Sequence, residues 1–333
     1  MGKTKTEKVL VPRELPEKIV NCNHEFLFIY DAKLCNPNGD PGNENKPRMD
    51  EEREVNLVSD VRLKRYIRDY LEQYTNKPVF VRKLDNKPAV PKKILENLKA
   101  KKDELEFKEI TDEELFYLKN LIDIRMFGAT MAIKNENKAF TGPIQVNWGY
   151  SLNPVYLNES DSITTTFTST EQATQGSMGK DYRVNYSLIA FYGNIIAKKC
   201  EHTLLTDDDI MLFDDAIVKA IPLLATRTKI GQYPRLYLRI AYNSPQYLFG
   251  DLRKLIKFEI DAEAKSKGVK IETVRDVSEV ILNVDELAEK IEYLQKSKLL
   301  DNSGKETSQL LLNNDKSFLW HNTDLKLTQP LKL

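Results

Sequence analysis

Six stretches of regular hydrophobic spacing, in a fixed order, restrict what this chain can fold into more than any other feature. Phe26-Leu-Phe-Ile-Tyr-Asp-Ala-Lys33 is aromatic-rich and reads as a strand. A helix over about 57–74, capped by Asn56 or Ser59, puts Leu63, Tyr66, Ile67, Tyr70 and Leu71 on one face. Ile144, Val146, Trp148, Tyr150 and Leu152 alternate with polar or small residues, the pattern of a half-buried strand. Tyr186 to Ala197 reads as a buried strand. Thr206 caps a helix with Asp207, Asp208 and Asp209 in its first turn, where carboxylates favour the positive dipole end. Ile210, Phe213, Ile217 and Ile221 form its stripe, and Pro222 marks its end. Lastly, Leu236, Leu238, Ile240 and Tyr242 face one way along a strand, while Arg235, Tyr237 and Arg239 face the other.

That order is β-α-β-β-α-β, an α+β chain on the ferredoxin-like plan of RNA-recognition modules. The remaining sequence divides around this palm of 25–74 and 125–245. Residues 1–24, with Pro12 and Pro16, read as an N-terminal arm. Residues 75–124 are rich in Lys and Glu, with helical patterns near 91–102 and 111–122, and read as an inserted helical finger. Residues 155–185 lose periodicity. Within them Ser162 to Thr170 can form one arm of a hairpin, and Gln175-Gly-Ser-Met-Gly-Lys180 reads as a flexible tip, so the stretch is expected to project. The segment 246–333 is charged and helical, with Asn283 capping a helix that carries Leu287, Ile291 and Leu294. No internal repeat is found.

Length and composition suit one or two domains: 333 residues, 41% hydrophobic and 30% charged. No run approaches the roughly 18 apolar residues of a membrane span, and MGKTKTEKVL lacks a signal-like apolar core. Cys22, Cys35 and Cys200 are too scattered for a disulfide framework, so a reduced, cytoplasmic, soluble protein with no membrane partner is expected. Cys22/His24 and Cys200/His202 are two paired spacings that one zinc ion could join, yet neither has finger spacing, and no metal or cofactor is expected. The loop Asn36-Pro-Asn-Gly-Asp-Pro-Gly-Asn43 offers backbone N–H groups but not a nucleotide-binding glycine pattern.

With 50 basic and 50 acidic residues the chain has no net charge, which speaks against a polyanionic partner until the charges are located. Leu224 to Ile240 carries Arg227, Lys229, Arg235 and Arg239, interleaved with Tyr233 and Tyr237, and no carboxylate. Cations that track phosphates and aromatics that stack bases have this composition. The balancing Asp207, Asp208, Asp209, Asp214 and Asp215 lie just upstream and are expected to be free for a neighbouring subunit. No GxSxG motif occurs, and no Cys or His sits in a catalytic signature. Two rivals to RNA binding remain: a metal-dependent RNase using Asp31 or Asp40, and a protein that oligomerises without nucleic acid.

Tyr30-Asp-Ala-Lys-Leu-Cys-Asn-Pro-Asn-Gly-Asp-Pro41, Arg48-Met-Asp50 and Asp60-Val-Arg-Leu-Lys-Arg-Tyr-Ile-Arg68 closely resemble the backbone subunits of type I CRISPR effectors, the Cas-seven superfamily. Ile124-Arg-Met-Phe-Gly128, Phe140-Thr-Gly-Pro-Ile-Gln-Val146 and Gly176-Ser-Met-Gly-Lys180 continue the resemblance, which covers about 25–245 and is nearest type I-B, then type I-C. It implies a hand-shaped Cascade subunit with fingers from 75–124 and a thumb from 155–185. Copies would stack head to tail along a CRISPR guide RNA (crRNA) beside other Cascade subunits. The thumb would wedge into the guide, with Met178 as the wedge, and present it to target DNA. Related type III subunits cut target RNA with a loop aspartate; the type I pattern leaves destruction to a separate nuclease, so no catalysis is expected. The residues expected at the RNA are Lys33, Asn36, Asn38, Arg62, Arg65, Arg68, Arg125, Gln145, Met178, Lys180, Arg183, Arg227 and Lys229, cations on phosphates and amides on ribose or base edges.

Overall fold

The structure, a computed structural model, describes residues 19–84, 87–133, 136–158, 162–164, 178–300, 306–322 and 324–333. Four strands and two helices build its centre in chain order: β1 (His24–Cys35), α1 (Asp60–Tyr74), β2 (Gly149–Ser151), β3 (Val184–Ile195), α2 (Asp207–Leu223) and β4 (Gln232–Ala241). In space the strands lie β4-β1-β3-β2, and each neighbouring pair is antiparallel. Phe318–His321 extends this sheet beyond β4; Val55–Val58, Lys46–Asp50 and Gly39–Asp40 extend it beyond β2.

Local chemistry explains the element ends. Ser59 Oγ accepts from the Arg62 N–H at 3.3 Å and opens α1, so the helix starts later than its apolar stripe suggested. Val55 to Val58 are drawn into the sheet instead. Thr206 and Asp209 form a reciprocal capping box on α2, each side chain taking the other's backbone N–H at 3.2 Å. The C-terminal helix Asp285–Lys296 begins where Asn283 Oδ1 takes the Asp285 N–H.

Both faces of the sheet are covered. On one, Phe26, Phe28 and Tyr30 pack against Ile67 of α1 and Phe213 and Ile217 of α2. The Phe26 and Phe213 rings meet edge to face at 5.4 Å. On the other, Leu27, Ile29, Leu188, Leu236 and Leu238 are buried by Leu282, Leu287, Ile291 and Leu294 of the C-terminal segment. Glu25 fastens that segment down. It is fully buried, and its carboxylate accepts from the Tyr192 and Tyr242 hydroxyls and from the N–H groups of Phe249 and Gly250. The sheet face that RNA-recognition modules leave open to bases is therefore closed here.

This burial corrects the reading of β4 as a basic, aromatic surface. Its two-sided alternation is present, but Arg235 and Arg239 are 7% and 5% exposed and Tyr237 is fully buried. Arg235 bridges Asp31 and Asp324 at 2.9 Å each, and Arg239 holds Asp214 through two bonds of 2.6 and 2.9 Å. The acidic run on α2 is likewise engaged within the chain rather than free for a neighbour. Asp209 pairs with Arg125, Asp207 with Lys316, and Asp215 takes the Tyr70 hydroxyl; only Asp208 is exposed and outside these pairs.

The 75–124 insertion has its own core of Phe80, Leu95, Leu98, Phe116 and Leu118. Asp123 ties it to α1, accepting from Arg68 and from the backbone N–H of Phe80 and Val81. The strand expected over 144–152 is instead two short ones, Ile144–Val146 and β2, and the alternation reverses between them so that Trp148 points out. Within 155–185, Ser162–Thr164 and Met178–Lys180 pair antiparallel, as expected of a hairpin base. The tip at 175–177 and the Met178 side chain lie outside the described residues, as does the arm up to residue 18.

Candidate nucleic-acid interface

Three pieces of chain converge at one end of β1. The first is the loop after it, where Asn36 N–H donates to Thr228 O at 2.8 Å. The second is the turn 226–231 ahead of β4, locked by the Lys33 N–H on Gly231 O at 2.8 Å. Gly231 has φ +99°, and a Cβ there would meet Lys33 O at 2.4 Å, so no side chain fits. The third is the start of α1, joined to the loop by Asn38 Oδ1, which accepts from the Ser59 N–H and hydroxyl at 2.8 and 2.9 Å.

At this junction Lys229 and Arg62 lie side by side. Lys229 Nζ donates to Asn36 O at 2.5 Å, and the Arg62 guanidinium sits 3.9 Å over the Tyr66 ring. Among the described residues neither cation has a carboxylate partner. Burial, with Arg62 adding repulsion, brings the Lys229 ammonium from 10.5 down to about 8. Around the pair are buried polar atoms that no described group satisfies: Arg62 Nε, Asn36 Oδ1 and Gln232 Oε1. Both amides are oriented by their nitrogens, Asn36 Nδ2 on Asn45 O and Gln232 Nε2 on Lys229 O. Two adjacent cations beside a donor without a partner have the chemistry that suits an anionic oxygen, and the two amide oxygens suit a hydroxyl or amino donor.

The other cations on this side each carry a carboxylate. Lys33 pairs with Asp276 at 2.6 Å, Lys180 with Glu44 at 3.0 Å, and Arg183 and Arg227 share Asp181 at 2.8 and 3.0 Å. Arg183 also donates to Leu34 O, which holds the hairpin base against the loop. These pairs are at least partly exposed on the cation side, with Arg227 63% open, so an incoming polyanion can exchange with the carboxylates.

Of the expected residues, Lys33, Asn36, Asn38, Arg62, Lys180, Arg183, Arg227 and Lys229 are brought to this end. Four are not. Arg68 is buried on Asp123, and Arg125 is clamped bidentately by Asp209 while donating to Leu118 O and Lys119 O. These two hold the insertion to the palm, because an unpaired cation in that interior would cost several kcal/mol. Arg65 is half-buried in a bidentate pair with Asp69 and bonds Val81 O. Gln145 pairs opposite Asn194, at the far end of β3, roughly 36 Å from Arg183 at about 3.3 Å per residue. Sequence reasoning missed Gln232, which lay inside the basic run but is neither charged nor aromatic. It also missed the paired acids Glu44, Asp181 and Asp276, which only contact reveals.

The rival sites fare as follows. Asp31 is 3% exposed, its carboxyl raised by burial and held by Arg235; Asp40 pairs with Arg48 at 3.1 Å. Cys22 Sγ touches His24 Nε2 at 3.5 Å, and burial, then Arg239, holds His24 well below the usual histidine range. His202 is on the exposed side of its helix, so the two Cys/His pairs do not close into one zinc site. Among the described residues no group of three His, Cys, Asp or Glu side chains is placed to hold a metal, and no helix is long and apolar enough to cross a membrane.

Comparison with known proteins supplies the family. The family model described as CRISPR-associated protein Cas7 matches residues 22–285. A curated CRISPR-associated protein Cas7 from Haloferax volcanii is 32% identical over 290 residues, 81% of this chain and 85% of that protein. The chain belongs to the Cas7 family. Two solved chains were also found, "CRISPR RNA-guided surveillance complex, pre-nicking" and "CRISPR RNA-guided surveillance complex". They are 13% and 14% identical, cover 70% and 82% of this chain and 81% and 84% of theirs, and have TM-scores of 0.48 and 0.46. At those scores the assignment stands on the sequence matches. All of the Lys229–Arg62 junction lies within the Cas7 match, whereas Phe318–His321, the strand beside β4, lies beyond it.

Proposed function

We propose that this chain is a guide-RNA-binding backbone subunit of a type I CRISPR Cascade complex, nearest type I-B. The observation that carries the reading is the Lys229–Arg62 pair, two adjacent cations that lack a carboxylate among the described residues, beside an unsatisfied donor at the mouth of a loop inside the Cas7 match. A guide phosphate completes it. The strand order β4-β1-β3-β2 with α1 and α2 on one face supports a ferredoxin-like palm, and the 162–164/178–180 pair supports a thumb rooted at this site. Copies then stack head to tail along a cytoplasmic ribonucleoprotein, and sequence recognition of target DNA is left to base pairing with the guide. In this reading the subunit does not cut: Asp31 and Asp40, the two carboxylates weighed as a cleavage centre, are tied up by Arg235 and Arg48.

The test is to purify the full chain from cells carrying a CRISPR array and sequence the bound RNA. Uniform repeat-flanked guides are expected; mixed cellular RNA, or none, refutes the reading. Incubating the loaded assembly with complementary RNA and Mn²⁺ checks the non-catalytic part, since regularly spaced cuts would overturn it.

A further inference from the structure

Trp148 is one of only two tryptophans in the chain, and it is 44% exposed. An outward indole in the middle of a sheet requires a cause, because it forgoes the burial its area would give. Here the backbone is built for it. The Asn147 N–H bonds Tyr192 O at 2.9 Å, Asn147 Oδ1 takes the Trp148 N–H at 2.7 Å, and the buried Arg253 donates to Trp148 O at 2.8 Å. Next in the chain, Gly149 lets the Phe191 ring fill the space where a Cβ would come within 2.6 Å, so the inward position is already taken. The indole is thus displayed by a rigid frame.

What it displays the indole to is a cation. The Arg48 guanidinium lies 6.0 Å from the ring centroid. Direct stacking would bring the guanidinium to about 3.5–4 Å from the ring, so the two are neighbours that do not stack on each other. Arg48 is held there by a partly exposed ion pair with Asp40 at 3.1 Å, which a ligand can exchange, so the guanidinium can close onto a base lying on the indole. Arg48 also joins this place to the junction described above. Its N–H donates to Asn38 O at 3.1 Å, and Asn38 holds Ser59 ahead of Arg62.

We propose that Trp148 and Arg48 form a clamp that stacks a single unpaired nucleobase of the bound strand. The inference rests on the nucleic-acid reading. It adds a base-stacking site to the phosphate site, with the indole supplying the platform and the guanidinium closing over it. A π-face is common to every base, so the clamp is indifferent to sequence, as a backbone subunit requires.

The variant Trp320→Phe leaves Trp148 as the single tryptophan reporter. This full-length protein is titrated with an adenine-only RNA, following anisotropy of a dye on the RNA and indole emission together. Emission is expected to be quenched with the same midpoint as the anisotropy, and an abasic strand of equal length is expected to bind without quenching. Trp148→Ala should weaken binding about 5- to 150-fold with thermal unfolding unchanged, and Trp148→Phe should recover most of it. Saturable anisotropy with unchanged emission overturns the clamp and leaves the RNA reading standing. Emission that depends on protein concentration without RNA also overturns it, marking a contact between copies. Absence of any RNA binding overturns both.

Discussion

Replacing Lys229 with methionine should strengthen the fold and weaken the function at the same time. Folding brings the ammonium from 10.5 to about 8, so the folded state prefers the neutral form and its stability rises with pH across that window. Below about pH 8 the full penalty is present, about 3 kcal/mol from the size of the shift. Methionine removes it but also loses the bond to Asn36 O, worth about 1 kcal/mol, which leaves a net gain of about 2 kcal/mol near neutral pH. An anion has the opposite preference and favours the charged lysine. RNA affinity of the wild type should therefore hold up to about pH 7.5, then fall, reaching a tenfold loss near pH 9 as the charged fraction drops. The Cys35 thiol that faces the ammonium does not blur this, since burial pushes it up to about 12, keeping it neutral. Anisotropy with an adenine-only RNA, which has no base titrating in the window, reads the profile, and urea unfolding reads the stability. Lys229→Arg should bind with a flat pH profile. A wild type and an arginine variant with the same profile, or a methionine variant that loses stability, would refute the reasoning.

Other outcomes follow from single contacts. Arg239→Met strands the Asp214 carboxylate in the interior with only the Tyr237 hydroxyl, and should cost about 3–5 kcal/mol by urea unfolding. Gly193→Ala would set a Cβ 2.2 Å from the Phe26 ring and 2.7 Å from Gln145 O; at least about 2 kcal/mol of destabilisation is expected, measured the same way. Glu44→Gln frees Lys180 on an exposed surface, so RNA affinity should rise about two- to fivefold at low salt and lose that gain at high salt, with thermal unfolding unchanged.

Much of the architecture was legible because local patterns suffice for it. The spacing of Leu63, Tyr66, Ile67, Tyr70 and Leu71, the Thr206 cap, and the two-sided alternation of β4 are consequences of helix and strand periods, and all of them appear in the structure. The polar loop and the basic turn were legible for a similar reason, since Asn36, Lys229 and Arg227 lie in short segments whose chemistry is visible residue by residue. Trp148 was misread because alternation continues only while the strand does, and Phe191, distant in sequence, had claimed the inward place.

What the sequence determined by itself was the order of elements, the Cas-seven resemblance and a pool of cations whose sum with the acids is zero. It did not determine which cations remain charged and open. That depends on pairings across long separations, Arg125 with Asp209, Arg239 with Asp214, Arg68 with Asp123, and on a C-terminal segment folding over the second sheet face. Burial then forces each interior arginine to keep its aspartate. Only the tertiary structure shows that Lys229 and Arg62 have none among the described residues.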